Sequence, residues 1–150
     1  MNLKNYTSSV PVERSIMLIE KMLNDAGALS IIKYNNPETK EPEALIFSIM
    51  IEGKPVLFKL PSKIKQCYDV MIKNYAAKSA IKKTVQENVL AQSKRTAWKL
   101  LHDWVAIQVS MIQIQQVEAL EVFLPYAWNP NKDQTYFQSV KESGFKLLTD

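Results

Sequence analysis

The chain has 150 residues, 47% of them apolar and 23% charged, a balance that suits one globular domain and excludes a disordered or low-complexity chain. Its single cysteine, Cys67, excludes an internal disulfide and a cysteine-based zinc site, and fits a reducing compartment. The net charge is +4, no apolar stretch approaches the roughly 20 residues of a membrane helix, and Met1 to Ser9 has no signal-peptide core. These features lead us to expect a soluble cytoplasmic protein without a membrane partner.

In chain order, residues 1–9 read as a flexible arm on a single α+β domain spanning 1–150. A helix starts near Pro11, which tolerates the first turn because it lacks an N–H. Ile16, Ile19, Leu23 and Ala26 follow at helical spacing, and Gly27 can end the helix in the left-handed conformation. Ser30 to Tyr34 reads as a short strand and Asn35 to Pro42 as a loop. Ala44 to Ile51 has the period-2 pattern of a strand and is apolar on both faces, as a central strand would be. Glu52-Gly53-Lys54 makes a tight connection to a third strand, Pro55 to Leu60.

Ser62 then offers an N-cap to a helix carrying Ile64, Tyr68, Met71 and Tyr75, interrupted at Ala76–Ser79. From about Ala80 to Gln116 neither proline nor glycine breaks the helical pattern, so the segment is one long helix, two helices or a homo-oligomer-forming element. Val122 to Tyr126 reads as a short strand or packed turn, Trp128 to Gln134 as a polar loop, and Thr135 to Leu148 as a closing helix or tail. The expected fold is α+β: an N-terminal helix, a three-stranded antiparallel sheet, then long C-terminal helices.

Charge is unevenly spread. From Lys59 to Lys99, ten basic residues, Lys78 among them, meet two acidic ones, a balance of +8 that leaves −4 for the rest. Lys94, Arg95, Trp98, Lys99 and His102 fall on adjoining helical turns. Cations with an embedded aromatic suit nucleic acid, the cations for phosphates and the ring for base stacking. Lys63, Lys65, Lys82, Lys83, Lys94, Arg95, Trp98 and Lys99 are the expected nucleic-acid-binding residues. The bland alternative is a solvated lysine face with Trp98 in the core.

Catalytic signals are thin. His102 precedes Asp103, but consecutive helical residues point about 100° apart, an arrangement poorly suited to a side-chain hydrogen bond. Glu118 and Glu121 sit at i and i+3, where paired carboxylates can hold a metal, yet no third ligand is recognisable. Three glycines, at 27, 53 and 144, cannot build a phosphate loop. No residue is assigned a catalytic or metal-binding role, and no cofactor is expected. Cys67 reads as core filler. Phe123 to Trp128 reads as core or as an aromatic recognition patch.

Phe58-Lys59-Leu60-Pro61, Ala97-Trp98, Asp103-Trp104 with Gln108, and Phe123-Leu124-Pro125-Tyr126 together resemble small proteins of tailed bacteriophages and prophages, over roughly Val12 to Tyr136. The resemblance implies a viral protein in a bacterial host cytoplasm and carries no functional residues with it. The helix–three-strand–helix order is also similar to double-stranded-RNA-binding domains, with Lys63 and Lys65 supplying part of their lysine pattern. The leading expectation is a non-catalytic phage accessory protein that binds nucleic acid, DNA first, through a basic helical face. Its alternatives are an interaction protein that inhibits a host or defence factor, a sequestering protein for an anionic nucleotide, and, last, a metal-dependent nuclease using Glu118 and Glu121.

Overall fold

The computed structural model describes residues 2–75 and 81–149, so the expected interruption at Ala76–Ser79, and Lys78 with it, lies outside the described residues. The element order is α1 (Val12–Asp25), β1 (Ser30–Asn35), β2 (Pro42–Ile51), β3 (Lys54–Pro61), α2 (Ile64–Ile72) and α3 (Lys83–Gln113). Short elements follow: α4 (Ala119–Phe123), a 3-10 turn at Leu124–Tyr126, β4 (Trp128–Asn129), β5 (Gln134–Thr135), α5 (Tyr136–Glu142) and α6 (Lys146–Thr149). This is the mixed α+β order expected: in sequence, the strands of a three-stranded antiparallel sheet follow the N-terminal helix and precede the long one. Among the described residues no helix is long and apolar enough to cross a membrane.

Local chemistry accounts for the boundaries. Gly27 takes a φ of 102° and lets the Ala28 N–H donate to the Leu23 carbonyl at 2.9 Å, which closes α1. Between β2 and β3, Glu52 and Gly53 both have positive φ, 49° and 81°, the turn geometry that matches strand twist. Ser62 does not cap α2. Lys63 holds the N-cap position in the left-handed conformation, without a side-chain cap bond, and Ser62 is buried one residue earlier. The long run is a single helix, α3, of 31 residues, roughly 45 Å.

The chain forms two compact units, each made of two separate stretches. The first comprises Met1–Lys21 and Ser62–Ile107. It buries Ile16, Ile19, Cys67, Val89, Ala97, Trp98 and Val105 together with the small polar residues Ser15, Ser62, Ser93 and Thr96. The Ser93 hydroxyl is satisfied by donating to the Val89 carbonyl at 2.7 Å. Residues 2–9, expected as a flexible arm, are tied down. The Thr96 hydroxyl donates to the Asn5 carbonyl at 2.9 Å, and Gln92 Nε2 and Arg95 Nε donate to the Ser8 carbonyl at 3.0 and 3.2 Å. Each such bond is worth about 1 kcal/mol.

The second unit comprises Met22–Pro61 and Gln108–Asp150. Its sheet runs β1-β2-β3, with Ile46 opposite both Ile32 and Lys59, and Phe47 opposite Phe58. Residues 44–49 of β2 are buried on both faces, as the doubly apolar pattern required. Phe47 and Phe58 stack at 5.3 Å, and Phe123 meets Phe47 edge-on at 5.2 Å. Phe123 ends α4 fully buried, so that part of the aromatic stretch is core. The expected polar loop Trp128–Gln134 carries the two-residue strands β4 and β5 at its ends. Thr135 then starts α5 with a capping box: its hydroxyl accepts from the Gln138 N–H, and the Gln138 side chain accepts from the Thr135 N–H.

Candidate nucleic-acid interface

All eight residues expected to bind nucleic acid belong to the first unit, but they do not form one surface of uniform character. That unit holds twelve basic and five acidic residues, a balance of +7. Lys63, Lys82 and Lys83 are exposed and have no carboxylate partner among the described residues. Lys65 is exposed and pairs with Asp69 one helical turn on, at 2.9 Å, a bond that solvent screening makes worth little. Lys99 is largely covered and pairs with Asp103 at 3.1 Å.

Trp98 overturns one expectation. Its side chain is fully buried, and its indole Nε1–H has no hydrogen-bond partner among the described residues. A ring in that position cannot stack on a base, so the interface has no stacking platform there. Burial wraps around more of α3 than a single stripe, taking in Val89, Ser93, Ala97, Trp98, Val105 and Val109, and the lysines flanking Trp98 hid this.

Arg95 is also more than a surface cation. Besides the Ser8 carbonyl, its guanidinium donates from Nη2 to Gln92 Oε1 at 2.6 Å. Both acceptors are neutral, so they fix the side chain without cancelling its charge. It lines, with Lys94, an open groove of about 640 Å³ between the arm and α3. Ser8 and Gln92, which build this groove, carried no signal in the sequence, since single polar residues in an arm and on a helix have many roles.

A second cluster corrects the reading of His102. His102 Nδ1 lies 2.9 Å from Asp103 Oδ1, so the neighbouring side chains do meet. Their Cβ atoms diverge, but side-chain rotation covers the short reach, and Asn5 Nδ2 fixes the carboxylate from the other side by donating to Oδ2 at 2.9 Å. Burial raises the Asp103 pKa; hydrogen bonds from Asn5, His102 and Lys99, with the Lys99 charge, outweigh it and hold the group at about 2. Lys99 Nζ lies 3.3 Å from the same Nδ1, so all three side chains meet at this point. The cluster pins the arm to α3.

The remaining candidates are structural. Glu118 occupies the N-cap of α4, and its N–H donates to Glu121 Oε1 at 3.2 Å, so this pair caps a helix. No group of three potential metal-binding side chains occurs among the described residues. Cys67 is buried, and burial pushes its thiol pKa up, away from nucleophilic character. In the second unit Lys59 is consumed locally: its ammonium sits 3.8 Å above the Tyr34 ring and 3.1 Å from Asp133 Oδ1. Trp128 Nε1 donates to the same carboxylate oxygen at 2.9 Å, and the bonds from Trp128 and Lys59 lower the Asp133 pKa. Comparison with protein-family models, curated proteins and solved structures finds no match.

Proposed function

We propose that the first unit binds nucleic acid, DNA foremost, through the phosphate backbone and without chemistry, as an accessory protein in the phage setting that the sequence resemblance implies. The observation that carries this reading is the +7 balance of one compact unit whose Lys63, Lys82 and Lys83 stand exposed without carboxylate partners among the described residues. Exposed ammonium groups displace counterions from a polyphosphate chain, which gives affinity without sequence preference. Trp98, being buried, contributes no base stacking to this binding.

The test is fluorescence anisotropy with labelled single-stranded and duplex DNA across a salt series. Binding is expected to weaken steeply with salt. Lys82→Glu combined with Lys83→Glu should flatten the slope of log affinity against log salt by about 1.4 on single strands, two phosphate contacts at roughly 0.7 each. Absence of binding at low salt would overturn the proposal.

A further inference from the structure

The groove between the arm and α3 contains two carboxylates, Glu87 on α3 and Glu13 at the start of α1, as well as cations, and a plain phosphate site does not need them. On α3 its wall presents Glu87, then Leu90 and Ala91, then Lys94, at i, i+3, i+4 and i+7, with Arg95 beside Lys94. The order along the helix is therefore acceptor, apolar floor, cation. Glu87 and Lys94 lie two turns apart, roughly 10 Å, which is comparable to the span of one nucleotide from its phosphate to the far edge of its base. The volume, about 640 Å³, falls within the usual range for small-ligand sites.

Each end has a definite chemistry. At the cationic end Arg95 is held by the Ser8 carbonyl and Gln92 Oε1, which occupy two of its five N–H donors. The other donors of this positioned guanidinium remain for an anion, and fork-shaped donation suits a phosphate. At the other end the Glu87 carboxylate accepts and never donates, so it calls for a base edge with adjacent N–H donors. Guanine offers two in parallel, N1–H and the N2 amine. Adenine and cytosine offer one amine next to a ring acceptor that repels a carboxylate, and thymine offers one N–H between two carbonyls. Leu90, 38% exposed, supplies an apolar surface for the base face.

We infer that this groove is a nucleotide site selective for guanine, with the phosphate on Arg95, the charge of Lys94 beside it, and the base edge on Glu87. The ligand is a guanine nucleotide, either free or as an unpaired unit of a single strand. Only the polymer form rests on the nucleic-acid reading above.

The experiment measures binding of a short labelled oligothymidylate carrying one central guanine, hypoxanthine or thymine, and separately of guanosine monophosphate. Both are applied to the native chain and to Glu87→Gln, an exposed helical position whose folding is checked by circular dichroism. The guanine strand should bind about tenfold more tightly than the other two, the value of one lost hydrogen bond to a charged group. Glu87→Gln should erase that preference while binding the all-thymine strand at least as well. Equal binding of all three strands, or a preference that survives in Glu87→Gln, overturns the guanine site and leaves backbone binding standing. Guanosine monophosphate binding that is lost in Glu87→Gln, with no strand bound, supports the site and overturns the polymer reading. Binding of neither overturns both.

Discussion

In the unit built from Met1–Lys21 and Ser62–Ile107, twelve basic residues meet five acidic ones, while the unit with the sheet carries seven against ten. Each nevertheless contains one aspartate that gathers a lysine and a further N–H donor. Asp103 takes Lys99, His102 and Asn5 in a half-buried setting, and Asp133 takes Lys59 and Trp128 at the surface. What differs is what remains afterwards. The sheet unit consumes Lys59 against an aromatic ring and a carboxylate and sets its exposed lysines, Lys33 and Lys54 among them, against ten acidic residues, whereas the first unit sets Lys63, Lys82 and Lys83 against five. A basic stretch of sequence is thus not a basic surface: Lys59 and Lys99 belong to the same +8 run as Lys82, and the fold commits two of the three internally.

The largest expected break lies in the sheet unit. Phe58→Ala removes a fully buried ring stacked on Phe47 and should cost about 3–5 kcal/mol, read as a lowered urea midpoint at an unchanged m-value. The next separates the two aspartates. The folded pKa of Asp103, about 2, lies below its ordinary 3.8, so its contribution is complete above pH 4 and is lost as pH falls towards 2. Asp103→Asn should therefore flatten the acid limb of a stability–pH curve in that window, and an unchanged limb would detach Asp103 from acid unfolding. The smallest effect is the sharpest control. Lys59→Gln removes a charge from the basic run, yet it should leave DNA affinity within twofold and lower stability by only about 1 kcal/mol.

Much of the fold was legible because its signals are local. The period-2 apolar run fixed β2, Glu52-Gly53 fixed the hairpin, and Gly27 fixed the end of α1. The uninterrupted segment after Ala80 gave α3 within three residues at each end. At the site, the charge was legible and the geometry was not. Trp98 among lysines looks the same in sequence whether it faces solvent or interior, because several arcs of α3 are buried. The pinning of the arm depends on Asn5 and Ser8 reaching residues 92–103, and no periodicity reports a pairing of that range. The contact of His102 with Asp103 is likewise not legible, because backbone geometry alone does not fix where two side-chain ends meet.

The bond from Asn5 to Asp103 closes a span of 98 residues, while the β2–β3 hairpin closes over a two-residue turn. Contacts of such different range form at very different times. During synthesis the hairpin can register as soon as it emerges, but the arm has no partner until α3 has been made. At roughly 5–20 residues per second that delay is on the order of 5–20 s. Throughout it, Asn5 and Ser8 lack the donors and acceptors that later hold them, so this arm is most open to proteases and chaperones before α3 is complete.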